Sequence, residues 1–161
     1  MAKATQEPDT LLHEGDQAPE ISLDTDSGEP FKLSSLKGKN VVLYFYPKAD
    51  TPGCTKQSCE FRDTTKKFTK ANTVIVGVSP DTTKAQLKFR EKFDLPFSLL
   101  ADVDHKAAET YGVWKEKSMY GKKYMGIERT TFVIDAKGVI KKIFPKVKVD
   151  GHAEEVLAAL G

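Results

Sequence analysis

Asn40-Val41-Val42-Leu43-Tyr44-Phe45-Tyr46-Pro47-Lys48-Ala49-Asp50-Thr51-Pro52-Gly53-Cys54-Thr55 is the stretch that decides how this chain reads. From Val41 to Tyr46 every residue is apolar, β-branched or aromatic, with no polar alternation. Such a run predicts a strand buried on both faces, as at the centre of a parallel sheet. Pro47, with no N–H to give to a ladder, ends it. A loop from Lys48 to Gly53 follows, and from about Cys54 to Lys70 the chain reads as a helix. Cys54 then falls in the first turn, where backbone N–H groups lack intrahelical partners. Those groups and the helix dipole favour a thiolate over a thiol. The junction also lies at the carboxyl end of a strand, where α/β sheets bind their ligands.

The same alternation continues outward. Thr73 to Ser79 is a second buried strand, Asp81 is expected to cap a helix running to about Phe93, and Phe97 to Ala101 is a third strand. A short helix covers Lys106 to Tyr111. Thr130 to Ile134 and Val139 to Phe144 form a hairpin turning at Asp135-Ala136-Lys137-Gly138. Gly151 to Leu160 closes the chain as a helix with an apolar stripe of Val156, Leu157 and Leu160. Upstream, Ile21 to Leu23 and Phe31 to Leu33 are short strands around Asp26-Ser27-Gly28. Lys115 to Gly126 is expected as a long loop bearing on access to the site around Cys54, with Trp114, Met119, Tyr120, Tyr124 and Met125 read as core or loop packing and a rim around that site as the alternative. Strands alternating with helices make the fold α/β. The central sheet is mixed and flanked by helices, because the late hairpin adds antiparallel pairing. This arrangement is compatible with a thioredoxin-like fold, which periodicity alone does not select.

At 161 residues the chain suits one domain. Residues 1–13 lack periodicity and read as a flexible arm, leaving 14–161 as the domain. With 25 basic and 23 acidic residues the net charge is +2, too small to steer nucleic acid. The densest basic stretch, Lys137, Lys141, Lys142, Lys146 and Lys148, reads as a lysine-guarded strand edge. No apolar run is long enough to span a membrane, and Met1 to Asp16 lacks the apolar middle of a secretory signal. The expected setting is the cytoplasm, with no nucleic-acid or membrane partner. His13, His105 and His152 show no metal spacing, and no Walker loop or G-x-G-x-x-G occurs, so no metal or cofactor is expected. One cysteine pair is too few for a disulfide scaffold and fits a transient, catalytic disulfide.

The helix alone is a weak activator. Its dipole contributes roughly 0.3–1 kcal/mol, about 2 kcal/mol where partly buried, and one pKa unit is worth about 1.4 kcal/mol. An ordinary cysteine would still be mostly protonated at neutral pH, so a second cation is required. Arg129, at the mouth of the strand Thr130 to Ile134, is the best-placed candidate.

Pro47-x-x-x-Thr51-x-x-Cys54 resembles the peroxidatic-cysteine loop of peroxiredoxins, and Glu128-Arg129-Thr130-Thr131-Phe132-Val133-Ile134-Asp135 resembles their arginine-bearing strand. Thr51-Pro52-Gly53-Cys54-Thr55, a cysteine five positions later, and Gly126-Ile127-Glu128-Arg129-Thr130-Thr131-Phe132 are most similar to the Q class, the bacterioferritin comigratory proteins. The likeness runs from about Gly15 to the C-terminus. It implies a thioredoxin-like fold and a thiol peroxidase that reduces hydrogen peroxide and organic hydroperoxides. It implies a role for each matching residue. Cys54 becomes a sulfenic acid and Cys59 resolves it. Thr51 hydrogen-bonds peroxide and thiolate, Arg129 stabilises the thiolate and the leaving oxygen, and Pro47 fixes the loop and walls off water. The implied reductant is thioredoxin or a similar dithiol, and the implied state a monomer or weak dimer. The Gly-Gly-Leu-Gly and C-terminal Tyr-Phe features of oxidation-sensitive relatives are missing from the sequence, which implies tolerance of peroxide.

Residues five apart in an ideal helix lie about 8.7 Å apart at Cα, beyond the roughly 7 Å a disulfide spans. A Cys54–Cys59 bond therefore requires the first turns to unwind, and a disulfide between chains is the alternative. Two other functions compete with the peroxidase. One is a thioredoxin-like disulfide reductase, disfavoured because it would use C-x-x-C. The other is a non-catalytic redox sensor or binding module signalling through the same cysteine.

Overall fold

The structure, a computed structural model, describes residues 12–160. The expected arm, 1–13, lies outside the described residues except for its last two positions. The strands are β1 (Ser22–Thr25), β2 (Pro30–Lys32), β3 (Asn40–Phe45), β4 (Thr73–Ser79), β5 (Leu99–Ala101), β6 (Trp114–Met119), β7 (Lys122–Ile127), β8 (Thr130–Ile134) and β9 (Ile140–Phe144). The helices are α1 (Pro52–Lys70), α2 (Thr83–Lys92), α3 (Lys106–Thr110) and α4 (His152–Leu160). Seven strands form one sheet in the order β9-β8-β3-β4-β5-β1-β2. β3, β4 and β5 are parallel. α1 and α2 supply the long crossovers that parallel neighbours need. β8 joins β3 antiparallel, and β9 and β1 extend the sheet antiparallel on either side. The fold is the expected mixed α/β sheet flanked by helices.

The missing alternation in β3 has a direct cause, because both faces of the sheet are covered. Val42, Tyr44 and Tyr46 pack with Phe61 and Phe68 of α1, Phe89 of α2 and Val156 of α4. Val41, Leu43 and Phe45 face the other way, against Ala107 and Ala108 of α3, Tyr111 and Phe132. Gly77 in β4 is required by this packing. A Cβ there would lie 2.8 Å from Leu99 Cδ2 and 2.9 Å from the Tyr44 ring and hydroxyl.

The structure corrects three expectations. Residues 115–126 are no loop: β6 and β7 pair from Trp114↔Ile127 to Met119↔Lys122 as a separate two-stranded ribbon. Its turn, Tyr120-Gly121, has positive φ at both residues (52° and 79°), the conformation that matches strand twist in two-residue hairpins. A tyrosine at that position hides the usual Asn-Gly signal. Met119, Tyr120, Tyr124 and Met125 are exposed on the ribbon, Tyr120 at 97% accessible, whereas Trp114 packs partly buried against the core as expected. Asp81 does not cap α2. The Thr82 hydroxyl accepts from Ala85 N at 3.1 Å, while Asp81 turns back to the loop before α1. β9 is one of the two edge strands, with Lys141 and Lys142 exposed on it.

α4 is docked by a buried histidine. His152 Nε2 lies 2.8 Å from Thr131 Oγ1, and Nδ1 lies 3.0 Å from Glu155 Oε1. Its ring meets Phe61 and Phe144 edge-on. Burial lowers its pKa from the ordinary 6.5, although Glu155 and Glu60 oppose the shift and Arg129 adds to it. The folded state therefore holds this imidazole neutral, whereas the unfolded chain protonates it as pH falls through 6.5. Below that pH the unfolded state binds more protons, so stability is lost as pH falls. His152→Gln keeps the polar contacts without the titration. Between pH 7.5 and 5 the melting temperature of the parent chain should fall more than that of the variant, and parallel curves would show that His152 is not the linked group.

Candidate active site

Register builds the site. β8 runs antiparallel to β3 with Thr130 opposite Phe45, so the residue before β8, Arg129, arrives where β3 ends. Beyond that end, Tyr46 still bonds to the sheet through its N–H to Val78 O at 3.0 Å, and Pro47 is half-buried at the start of the loop. The loop is tied to the end of β4, since Asp81 Oδ2 accepts from Ala49 N at 2.8 Å and from Ser79 Oγ at 2.5 Å. Asp50 takes a positive φ of 60° and pairs with Lys92 at 2.9 Å. α1 then starts two residues earlier than expected, with Pro52 in its first turn. Proline is well suited there because its ring fixes a helical φ and it lacks an N–H that would go unpaired.

Cys54 is the third residue of α1, is 1% exposed and carries a free thiol. Arg129 Nη2 lies 3.3 Å from its Sγ. Gly53 permits this approach, since a Cβ at that position would sit 3.2 Å from Nη2. The Thr51 hydroxyl donates to Lys48 O at 2.8 Å and does not cap the helix. The N–H groups of the first turn are left without a side-chain partner. A guanidinium and an uncapped helix N-terminus thus converge on one sulfur.

The structure brings together four of the five site residues expected from sequence: Pro47, Thr51, Cys54 and Arg129 lie at one end of the sheet. Cys59 lies in the same unbroken helix, partly exposed, also as a free thiol. One contributor was missed. Gln57, 1% exposed, accepts from Arg129 Nη1 at 2.7 Å through Oε1. Its amide nitrogen is buried without a partner. A glutamine in a helix carries no signal of this role until its burial is known. Lys117 of the ribbon is half-buried, and its pKa is lowered, first by burial and then by Arg129, with Cys54 and Glu128 opposing. The ribbon therefore reaches into the field of the site. Among the described residues no cluster of His, Cys, Asp and Glu is placed to hold a metal, and no helix is long and apolar enough to cross a membrane. A cavity of about 380 Å³ floored by Leu33, Val41 and Ile134 shares no residue with this site.

Residues 14–143 match the AhpC/TSA family. The chain is 55% identical over 146 residues to a putative peroxiredoxin bcp of Coxiella burnetii, covering 91% of this chain and 97% of that one. It is 53% identical to peroxiredoxin Bcp of Bacillus subtilis, covering 91% and 93%. Among solved structures it is similar to a cysteine-to-serine mutant of Xylella fastidiosa PrxQ, with TM-score 0.88, 36% identity and coverage of 92% and 95%. It is also similar to the Xanthomonas campestris bacterioferritin comigratory protein, whose alkyl peroxide reduction activity was studied in trapped intermediate and ligand complexes. That match has TM-score 0.83, 41% identity and coverage of 87% and 89%.

Arg129→Ala removes one of the two positive influences on Cys54. Alkylation of Cys54 by iodoacetamide at neutral pH should slow by about tenfold or more, the usual effect of an opposite charge at contact distance. Gln57→Ala, which frees the guanidinium without deleting it, should slow alkylation by less. Unchanged alkylation in the arginine variant would mean that another group supplies the charge.

Proposed function

The chain belongs to the AhpC/TSA family and is a peroxiredoxin, a thiol-dependent peroxidase acting on hydroperoxides; from that premise we propose how its own residues divide the reaction. Cys54 Sγ attacks as a thiolate on one peroxide oxygen. The O–O bond breaks, the sulfur becomes a sulfenic acid, and the other oxygen leaves as an alkoxide or hydroxide that takes up a proton. The observation that carries this assignment is the 3.3 Å contact of Arg129 Nη2 with Cys54 Sγ at the helix start. The same guanidinium is positioned to meet charge growing on the leaving oxygen, which is electrostatic preorganisation. The Thr51 hydroxyl spends its proton on Lys48 O, so its lone pairs are open to accept from the peroxide O–H. Pro47 holds the loop against the sheet and limits water.

Cys59 is the resolving thiol in this scheme. Its S–H condenses with the sulfenic acid, forming the Cys54–Cys59 bond and releasing water. A thioredoxin-type dithiol reduces that bond and restores both thiols. Support comes from the shared helix and from the exposure of Cys59, and helical spacing requires residues 54 to about 59 to leave the helix first. Family membership sets aside the sensor and disulfide-reductase readings. The remaining expectations, a monomer or weak dimer working in the cytoplasm, rest on composition and resemblance, and light scattering reads the first directly.

Replacing Cys54 by Ser should abolish peroxide turnover, and near-normal turnover in that variant would sink the scheme. Cys59→Ser should consume its first equivalent of peroxide at the parent rate and then fail to cycle with thioredoxin. Full-rate cycling of that variant would show that Cys59 is not the resolving thiol.

A further inference from the structure

The resolving step needs the segment that seats Cys54 to open, and a residue between the two cysteines in sequence holds a buried contact to the central strand. Ser58, the residue before Cys59, is fully buried on the inner side of α1. Its Oγ is 2.8 Å from the hydroxyl of Tyr44, which is equally buried in β3. We propose that the Tyr44–Ser58 hydroxyl pair is the latch that sets how fast the Cys54 sulfenic acid reaches Cys59. Tyr44 then acts as a positioning residue for resolution and not for peroxide attack. This inference rests on the reading of Cys59 as the resolving thiol.

Tyr44 is unable to follow the helix when it opens. It sits in the central strand, paired with Gly77 on one side and Thr131 on the other. Its ring is held by Phe61 at 4.9 Å, Tyr46 at 5.4 Å and Phe97 at 6.0 Å between centroids, and by the close approach that Gly77 permits. When residues 54–59 unwind, Ser58 withdraws and the phenol is left in an apolar cluster with no partner. Burial holds that phenol far above its ordinary pKa, so it stays neutral and keeps its need for a hydrogen bond. A buried hydroxyl stripped of its partner is costly.

The other ties on this turn behave differently. Lys56 and Asp150 form an exposed ion pair, which water replaces at little loss. Gln57 binds Arg129, but its amide nitrogen is already unpaired in the closed state. The Tyr44 hydroxyl is the group that is satisfied while Cys54 is seated and orphaned when it leaves. The latch holds the turn closed after attack, and in doing so prolongs the sulfenic acid. Two fates then compete for it: condensation with the Cys59 thiol gives the disulfide and water, whereas a second hydroperoxide oxidises it to sulfinic acid and is itself reduced to the alcohol or water.

Tyr44→Phe keeps the ring in its wedge and deletes the hydroxyl. The reduced protein is oxidised with one equivalent of hydrogen peroxide, quenched with an alkylating agent at intervals, and digested to quantify the peptide joining Cys54 to Cys59. A parallel sample under excess peroxide is assayed for sulfinic acid at Cys54. In Tyr44→Phe the joined peptide should form about tenfold faster, and the sulfinic fraction should fall, while the rate of Cys54 oxidation stays at the parent value. Ser58→Ala should move both readouts the same way by less, because alanine also strengthens the helix. The double variant should go no further than Tyr44→Phe alone, since both substitutions remove one shared contact. Equal rates of disulfide formation in parent and Tyr44→Phe, with equal sulfinic fractions, would overturn the latch while leaving Cys59 as the resolving thiol. Absence of any Cys54–Cys59 peptide in the parent would overturn the resolving assignment and the latch with it.

Discussion

The antiparallel pairing of β8 with β3 is the constraint on which this site depends. Because Thr130 sits opposite Phe45, the side chain just outside β8 and the helix just beyond β3 are forced to the same point. Arg129 and Cys54 are 75 residues apart in sequence yet 3.3 Å apart in space. A shift of one residue in that register would turn every side chain of β8 to the opposite face. Val133 would leave the cluster beneath α1 and α4, and Phe132 would leave the cluster against α3. The packing of both faces thus protects the chemistry at the strand ends.

The same helix turn serves two opposed needs. Attack on peroxide requires Cys54 fixed at the helix start, under a guanidinium that Gln57 steadies. Resolution requires that turn to come apart. The segment from Cys54 to Glu60 buries no large apolar side chain, and Phe61 is the first anchor that does. What holds the turn closed is polar instead: Gln57 to Arg129 and Ser58 to Tyr44. Polar contacts suit a reversible device: the turn's own groups regain water when it opens, and the main cost is the buried Tyr44 hydroxyl left without a partner. Further along, Phe61 and Phe68 pack beneath the sheet and confine the opening to the first turns.

Much of this was legible in the sequence because the signals were local. The unbroken run Val41 to Tyr46 marked a strand covered on both faces, Pro47 marked its end, and the cysteine after Thr51-Pro52-Gly53 fell in the first turn of α1. Arg129 was nameable from the resemblance, but its contact depends on strand register, which no local pattern carries. The ribbon at 114–127 was missed because a Tyr-Gly turn lacks the usual signature and its strands are mostly exposed, so no apolar alternation marks them. Asp81 looked like a cap because aspartate often is one. Its carboxylate has instead a better use, tying the catalytic loop to β4. Gln57 and the Tyr44–Ser58 pair escaped because glutamine and serine in a helix carry no message until their burial is known.

Amide hydrogen exchange on reduced and fully oxidised protein tests the central claim most directly, namely that one helix turn both seats Cys54 and opens to join it to Cys59. Residues 55 to 60 should lose protection on oxidation while Val41 to Tyr46 stay protected, with both cysteines joined within one chain. Retained protection across 55 to 60, together with a covalent dimer on a non-reducing gel, would contradict it.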